Sequence, residues 1–478
     1  MSYGGEFAIS AADSLRFARL SGDYNPMHLD ALAARRMPYG GTVVHGMHLL
    51  LKALDGVAAA WTQPGRALGG ISGTFSNPVH TDEKVAIRAV LEPDAARLRL
   101  AGEVEGRTVF SASLELRTAD EPGSGPPDRE FPASAPVLSS FPPAVGEGAV
   151  PLALSVSLMR QLLPAVAAGA GPGWIADLLA STRIVGMQCP GMDSVYSVCR
   201  LRRRTSQAPV ADSMRYRVVR ADERFRMIRL DVEGGVLEGH LEAFFRARPV
   251  EQPALAKVAA AVPAGSFSGQ RALVVGGSRG LGEITAKIVA AGGGEVIITY
   301  ARGRADAEQT CEQARALGFA CSARQLDLSG IERAAQLPHW LREVRPTHVY
   351  FFASPRISRN PDRGFSDSLY QGYSAIYLQA FAALAEAVLG QHEPDGRAIR
   401  LLYPSSVFLD TAEPGFAEYC AAKAAGETLC AQLAARYGAR VSCPRLPRMR
   451  TDQTSAVRDK EMQDSFPIML ALLRDLHG

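Results

Sequence analysis

The chain has 478 residues, 47% of them hydrophobic and 21% charged, with 52 Lys and Arg against 49 Asp and Glu. A formal net charge of +3 is too small to drive binding to nucleic acid or an anionic membrane, so neither is expected as a partner. The length exceeds what one hydrophobic core supports and predicts two to four domains. Seven cysteines, odd in number and scattered, show no Cys/His spacing for a metal. They point to a reduced, cytoplasmic protein with no metal site. Glu6 and Asp13 break any basic-then-apolar leader. No uninterrupted apolar run nears the roughly 20 residues of a spanning helix, so no membrane segment is expected.

In chain order, the first informative stretch is Gly22-Asp23-Tyr24-Asn25-Pro26-Met27-His28. It carries a carboxylate and an imidazole on a segment stiffened by Asn-Pro. Val43-Val44-His45-Gly46-Met47 then opens a helical run in which Val44, Met47, Leu51, Leu54 and Ala58 share a face. Ile71–Pro78, a strand from Lys84, and a hairpin at Val104-Glu105-Gly106 before Thr108–Leu116 complete a first unit, residues 1–118. Residues 119–150 hold seven prolines among Gly, Ser and Ala and predict an extended tether. Residues 151–247 look like a degenerate copy of the first unit. There Thr182–Pro190 matches Ile71–Pro78, a strand starts at Val195, and a hairpin falls at Val232-Glu233-Gly234 before Val236–Phe245. One helix beside several antiparallel strands, repeated, predicts an α+β sheet wrapped around a helix, the copies pairing as a pseudo-dimer.

Residues 248–270 are rich in Ala, Pro and Gly and predict a second linker. From Arg271 the pattern changes. Arg271–Val275 reads as a strand, followed by a Gly-rich turn and a helix to about Ala291. Val296–Thr299, His348–Phe352 and Ile399–Tyr403 read as further strands. This alternation predicts a doubly wound, Rossmann-like α/β parallel sheet over residues 271–478.

Removing water from a 3-hydroxyacyl thioester takes a base for the weakly acidic α-hydrogen and an acid for the departing hydroxide. It also takes donors on the thioester oxygen as enolate charge builds. Asp23 and His28 can divide the proton work, and a backbone N–H near Gly46, at a helix start, is a natural oxyanion donor. The run Leu20–His28 followed by Gly40-Gly41-Thr42-Val43-Val44-His45-Gly46-Met47 closely resembles the MaoC-like, (R)-specific enoyl-thioester hydratase family. The resemblance implies a hot-dog fold, Asp23 and His28 as the catalytic pair, and Asn25 as the motif's asparagine. The second unit has no such motif and resembles the family's catalytically dead half, which typically widens the acyl tunnel; together they imply a double hot dog. Between Arg200 and Arg229 that unit has ten arginines against three acids. They read either as a solvated sheet face or as a dock for an acidic carrier protein or coenzyme A phosphates.

A second set lies downstream. Val275-Gly276-Gly277-Ser278-Arg279-Gly280-Leu281-Gly282 follows a strand and opens a helix, so backbone can approach a pyrophosphate there. Asp327 follows a third apolar stretch, and Ser406 stands upstream of Tyr419-x-x-x-Lys423. A Tyr and a Lys four apart share a helical face, so the ammonium is expected to lower the phenol's pKa. The set resembles the short-chain dehydrogenase/reductase family. It implies Tyr419 as proton donor, Lys423 as ribose binder and tuner of Tyr419, and Ser406 as holder of the substrate carbonyl. Gly276, Ser278, Arg279, Gly280, Leu281, Gly282 and Asp327 would line the cofactor. After Thr299-Tyr300-Ala301-Arg302 no acid is present to hold a free ribose 2′-hydroxyl. Arg279 and Arg302 can hold a 2′-phosphate instead, so NADP(H) is expected.

Three departures bear on activity. Phe351-Phe352-Ala353-Ser354 stands where the family usually has Asn-Asn-Ala-Gly. Tyr377 aligns with the helix asparagine that holds a relay water. Only 27 residues follow Thr451, so the usual last strand is expected to be missing. The combined expectation is a bifunctional enzyme: NADPH-dependent 3-ketoacyl reduction, then (R)-3-hydroxyacyl dehydration to a trans-2-enoyl thioester, on acyl carrier protein or coenzyme A. A homodimer is compatible with this reading. The alternatives are a hydratase/dehydrogenase of fatty-acid breakdown and a dehydratase fused to a non-catalytic reductase-like module.

Overall fold

The computed structural model describes residues 2–477 apart from 38, 63–64, 93–95, 119–124, 144–145, 205–210, 329–339, 361–363, 391–398, 453 and 455–461. The chain divides into two units, Met1–Arg248 and Pro249–Gly478.

In the first unit ten strands form one antiparallel sheet among the described residues. They are β1 (Ser2–Phe7), β2 (Arg66–Phe75), β3 (Val85–Leu91), β4 (Arg97–Val104), β5 (Arg107–Thr118), β6 (Glu147–Pro151), β7 (Ser194–Arg203), β8 (Ser213–Asp222), β9 (Met227–Glu233) and β10 (Leu237–Phe245). Their order, β1-β3-β4-β5-β2-β7-β10-β9-β8-β6, mirrors itself about the β2–β7 seam, where Ile71 faces Leu201 and Thr74 faces Val198. Alternation sets the buried face: on β3, Val85, Ile87 and Ala89 point inward while Ala86, Arg88 and Val90 point out. Four helices matter for the site: α1 (Ala11–Ser21), α2 (Pro26–Leu29), α3 (Gly46–Gly56) and α4 (Pro172–Arg183). α3 buries Met47, Leu50, Leu51 and Leu54, and α4 is buried on every side from Trp174 to Arg183. Both join one continuous core with the inner sheet face. Each buried aliphatic side chain there contributes about 1.5–3 kcal/mol.

Two expectations are corrected here. Thr182–Pro190 is not a counterpart of Ile71–Pro78: it is the end of α4 and a π-helical turn, Ile184–Gln188. The strand matching β2 is β7, which takes the equivalent place in the mirrored order. The proline-rich stretch, where described, is extended but not a free tether. Some of its backbone groups bond other parts of the first unit, Phe131 N donating to Arg19 O and Val137 N to Met187 O, both at 2.8 Å. Residues 119–124 and 144–145 of that stretch lie outside the described residues.

The second unit begins earlier than expected. Residues 249–270 are not a linker: α5 (Leu255–Ala261) places Leu255, Val258 and Val262 in the core together with Phe267. The i, i+3, i+7 apolar spacing outweighs the loose composition around it. Strands β11 (Arg271–Val275), β12 (Glu295–Tyr300), β13 (Cys321–Gln325), β14 (His348–Phe351), β15 (Arg400–Leu402), β16 (Ser405–Ser406), β17 (Arg440–Ser442) and β18 (Arg445–Leu446) follow. Six of them form a parallel sheet ordered β13-β12-β11-β14-β15-β17, and β16 pairs with β18. This is a doubly wound order, with ligand sites expected at the carboxyl ends of the strands. No seventh strand joins the sheet among the described residues. Helices α6 (Gly280–Ala291), α7 (Asp367–Ser374), α8 (Phe381–Leu389), α9 (Ala417–Tyr437) and α10 (Ser465–His477) supply apolar faces to two cores. α7 and α8 run together through a π-helical turn, Ala375–Ala380. The continuous stretch Asp367–Leu389 is long and apolar enough to cross a membrane, but Tyr373, Tyr377, Phe381, Leu384 and Val388 are core residues of this unit.

Candidate active sites

In the first unit α1 stops at Gly22, whose φ of 76° lets its N–H return to Ala18 O at 2.7 Å. A side chain at this position would also meet Arg183 Cδ at 2.8 Å. The turn delivers Asp23 into the interior, where it is 2% exposed. Asn25 then caps α2, its Oδ1 accepting from Met27 N at 3.1 Å, and Pro26 occupies the first helical position. His28 is thereby set on α2, facing back toward Asp23. Its Nδ1 lies 2.7 Å from Val43 O. A carbonyl only accepts, so Nδ1 carries the proton and Nε2 keeps its lone pair for proton transfer.

α3 begins at Gly46 without a side-chain cap, so its first N–H groups are available to an anion. Asp23, His28 and Gly46 all line one cleft, together with Phe75, Thr182 and Tyr196. Asn25 is buried behind it, its Nδ2 donating to Gly186 O and Gly191 O at 3.0 Å each. It holds the segment rather than facing the cleft. Burial pushes the Asp23 carboxyl up, opposed by the charge of His28 and the Thr182 hydroxyl. Burial also pushes His28 down, opposed by Asp23. The charge of each group thus favours the charged form of the other.

In the second unit β11 runs into the glycine turn, where Gly276 (φ 79°) and Gly280 (φ 59°) adopt left-handed conformations. A Cβ on Gly282 would lie 2.4 Å from Gly276 O, so the turn packs backbone on backbone. α6 starts at Gly280 with no side-chain cap on its N–H groups, and Ser278 and Leu281 flank that start. Such a cradle fits a pyrophosphate. Arg302 is exposed just past β12, and Asp327 follows β13. Arg279 is 3.7 Å from Asp452.

Tyr419 and Lys423 both lie buried on α9, four residues apart, and Ser406 closes β16. The neighbouring Ser406 hydroxyl acts to lower the pKa of the Tyr419 phenol. The expected lowering of the phenol is overturned: burial pushes Tyr419 up to about 12. Lys423 does not offset this, because its Nζ donates to Pro404 O at 2.7 Å and lies 3.8 Å from the Tyr377 ring centroid. Burial pulls Lys423 itself down to about 7. Tyr377, in place of the family's asparagine, bonds Ser354 Oγ at 2.7 Å. Phe351 is a core residue against Phe381, and Phe352 N donates to Val275 O at 2.7 Å.

Residues 4–109 match the family described as MaoC like domain, and residues 270–462 match short chain dehydrogenase. The chain fuses a MaoC-like domain to a short-chain dehydrogenase domain. Within the MaoC-like part it is similar to a 3-hydroxybutyryl-CoA dehydratase of Methylorubrum extorquens, 36% identical over 100 residues, which is 20% of this chain and 61% of that protein. It is also 34% identical over 79 residues to an Ajellomyces capsulatus protein named a probable dehydratase, 16% of this chain and 21% of that one. The matches thus span less than two thirds of either relative. A short chain dehydrogenase from Burkholderia cenocepacia, solved with NADP, is 21% identical, covering 45% of this chain and 92% of that one with a TM-score of 0.39.

The MaoC-like site contains residues the sequence did not flag. His45 stacks on His28 with ring centroids 3.7 Å apart, and its Nε2 lies 3.0 Å from Asp23 O. Burial holds it well below the usual imidazole range, so it is a neutral prop. One ligand atom from each of Asp23, His28 and His45 lies within 4.8 Å of the others. One nitrogen of each imidazole is already engaged, His28 Nδ1 with Val43 O at 2.7 Å and His45 Nε2 with Asp23 O at 3.0 Å. Thr182 and Gly186, from the half without the motif, touch Asp23; a buried Thr at a helix end carries no sequence signal.

Proposed function

We propose that the chain performs two consecutive steps at the β-carbon of an acyl thioester. In the dehydrogenase domain, Ser406 and Tyr419 hold the oxygen of a 3-ketoacyl thioester, and the Tyr419 hydroxyl passes its proton to that oxygen. A bound NADPH supplies the hydride, held by the Gly276–Gly282 cradle and by Arg302. In the MaoC-like domain, which we read as a double hot dog with one working half, the dyad holds a single proton. One partner takes the α-hydrogen, the other protonates the departing hydroxyl as water, and the α3 N–H groups near Gly46 carry the enolate charge. The product is a trans-2-enoyl thioester, and the direction is biosynthetic. Coenzyme A or a carrier protein bears the acyl group. Around Arg200–Arg229, Arg202, Arg204 and Arg220 already pair with Glu238, Glu233 and Asp222. This argues against one uniformly basic dock.

The observation that carries the reading is the Asp23–His28 dyad beside an uncapped helix start in one cleft. It is tested by incubating the pure chain with 3-ketobutyryl and 3-hydroxybutyryl thioesters of coenzyme A and of carrier protein, with NADPH or NADH. Oxidation of NADPH followed by enoyl thioester is expected. Enoyl formation without any NADPH oxidation would make the second domain a non-catalytic module, a reading favoured by Tyr377 standing over Lys423.

A further inference from the structure

Two residues of the half that lacks the Asp/His motif close around Asp23. The last turn of α4 presents Thr182, whose Oγ1 donates to Asp23 Oδ2 at 2.9 Å. Thr182 and Asp23 are 3% and 2% exposed, so water does not compete for this bond. The chain then winds through the π-helical turn Ile184–Gln188, which brings Gly186 against the same carboxylate. A Cβ there would lie 2.2 Å from Asp23 Oδ1 and 2.4 Å from Oδ2. Gly186 does not have a positive φ, so it is required for space rather than for conformation. Asn25 locks the two halves in this register through Gly186 O and Gly191 O.

The geometry points to a carboxylate cradle. We infer that Thr182 and Gly186 are positioning residues for the dehydratase dyad, so that the motif-less half is a working part of the active site. This rests on the dehydratase reading above. A hydroxyl has one proton to give; aimed at Oδ2, it fixes the rotation of the carboxylate, while Asn25 N donates to Oδ1 at 3.2 Å. The charged or titratable groups facing Asp23 are His28 and His45 from its own half and Arg183 from α4. Thr182, His28 and Arg183 favour the ionised carboxylate, against burial, which favours the acid. Removing the hydroxyl lets the dyad take up its second, inactivating proton at higher pH.

The test uses the full chain with crotonyl-CoA, following hydration by loss of enoyl absorbance. Thr182→Val keeps the shape of the side chain. It is expected to lower kcat by about tenfold or more with KM within about twofold, and to move the acid limb of the kcat–pH profile up by about one pH unit. Thr182→Ser, which keeps the donor, is expected to restore most of the rate and the wild-type limb. Gly186→Ala is expected to lose hydration while NADPH oxidation persists, showing that the chain is folded. Wild-type kcat and pH limb in Thr182→Val would overturn the cradle and leave the functional reading standing. No hydration by the wild-type chain would overturn both.

Discussion

The Lys423 ammonium sits between the Pro404 carbonyl, 2.7 Å away, and the face of Tyr377, whose ring centroid is 3.8 Å away. A cation this deeply buried is costly, and burial pulls its pKa from 10.5 down to about 7. Between these values the unfolded chain binds the proton more tightly than the folded one, so unfolding takes up a proton. Stability of the second unit therefore rises with pH through this window. Calorimetry of the wild type and Lys423→Met from pH 7 to pH 10 is expected to show this rise in the wild type alone. Lys423→Met is also expected to melt higher at pH 7 while losing NADPH oxidation. Identical pH slopes in the two proteins would refute the buried-cation picture.

The two candidate sets lie in different units, so the two proposed chemistries are expected to separate genetically. Asp23→Asn keeps the shape of the side chain and removes its ability to hold a negative charge or transfer a proton. Dehydration of 3-hydroxybutyryl-CoA is expected to fall by about a hundredfold or more, the scale of general acid–base catalysis, with NADPH-dependent ketoreduction unchanged. A parallel loss of both activities would mean that the two sites do not act independently.

Both candidate sets stand out in the sequence because their chemistry is packed into short motifs, and both domain families match. The Asn25-Pro26 turn sets His28 toward Asp23, and the helix start at Gly46 lies close in the chain. The 3.6-residue period brings Tyr419 and Lys423 to one side of α9. Thr182 was not legible: it reaches Asp23 from 159 residues away, at a helix end whose sequence looks like a copy of Ile71–Pro78. α5 was hidden because its three core residues, Leu255, Val258 and Val262, are diluted by Ala and Pro. The titration of Tyr419 was misread because helical spacing fixes only which face Lys423 occupies. Its ammonium is turned by Pro404 and Tyr377, which come from elsewhere in the chain.

The proposed preference for NADPH rests on Arg302. Arg279 is 3.7 Å from Asp452, whereas Arg302 is exposed in the turn after β12. Arg302→Asp replaces a phosphate-binding cation with a carboxylate that accepts from a free 2′-hydroxyl and repels a phosphate. The expected result is a rise of about tenfold or more in KM for NADPH and a lower KM for NADH, measured by initial rates of ketoreduction. An unchanged NADPH/NADH ratio would assign Arg302 to the solvated surface.

Asp177 tests how the motif-less half holds its own shape. The β4–β5 hairpin turns tightly on Glu105 (φ 50°) and Gly106 (φ 77°). The equivalent β9–β10 connection is instead clamped from α4. Asp177, fully buried, accepts from Gly235 N, Val236 N and Leu237 N at 2.8, 2.8 and 2.7 Å. Gly234 gives it room, since a Cβ there would lie 2.2 Å from Asp177 Oδ1. Asp177→Ala leaves three backbone donors without this acceptor, at about 1–3 kcal/mol for each that stays buried. Asp177→Asn can keep the two donors on one oxygen but turns an amide N–H toward the third. The expected order of stability is therefore wild type, then Asn, then Ala, with the Ala variant losing about 3 kcal/mol or more by chemical denaturation of the first unit. Because α4 also carries Thr182, crotonyl-CoA hydration is expected to fall in the same order. An Ala variant as stable as the wild type would show that the hairpin closes without its clamp.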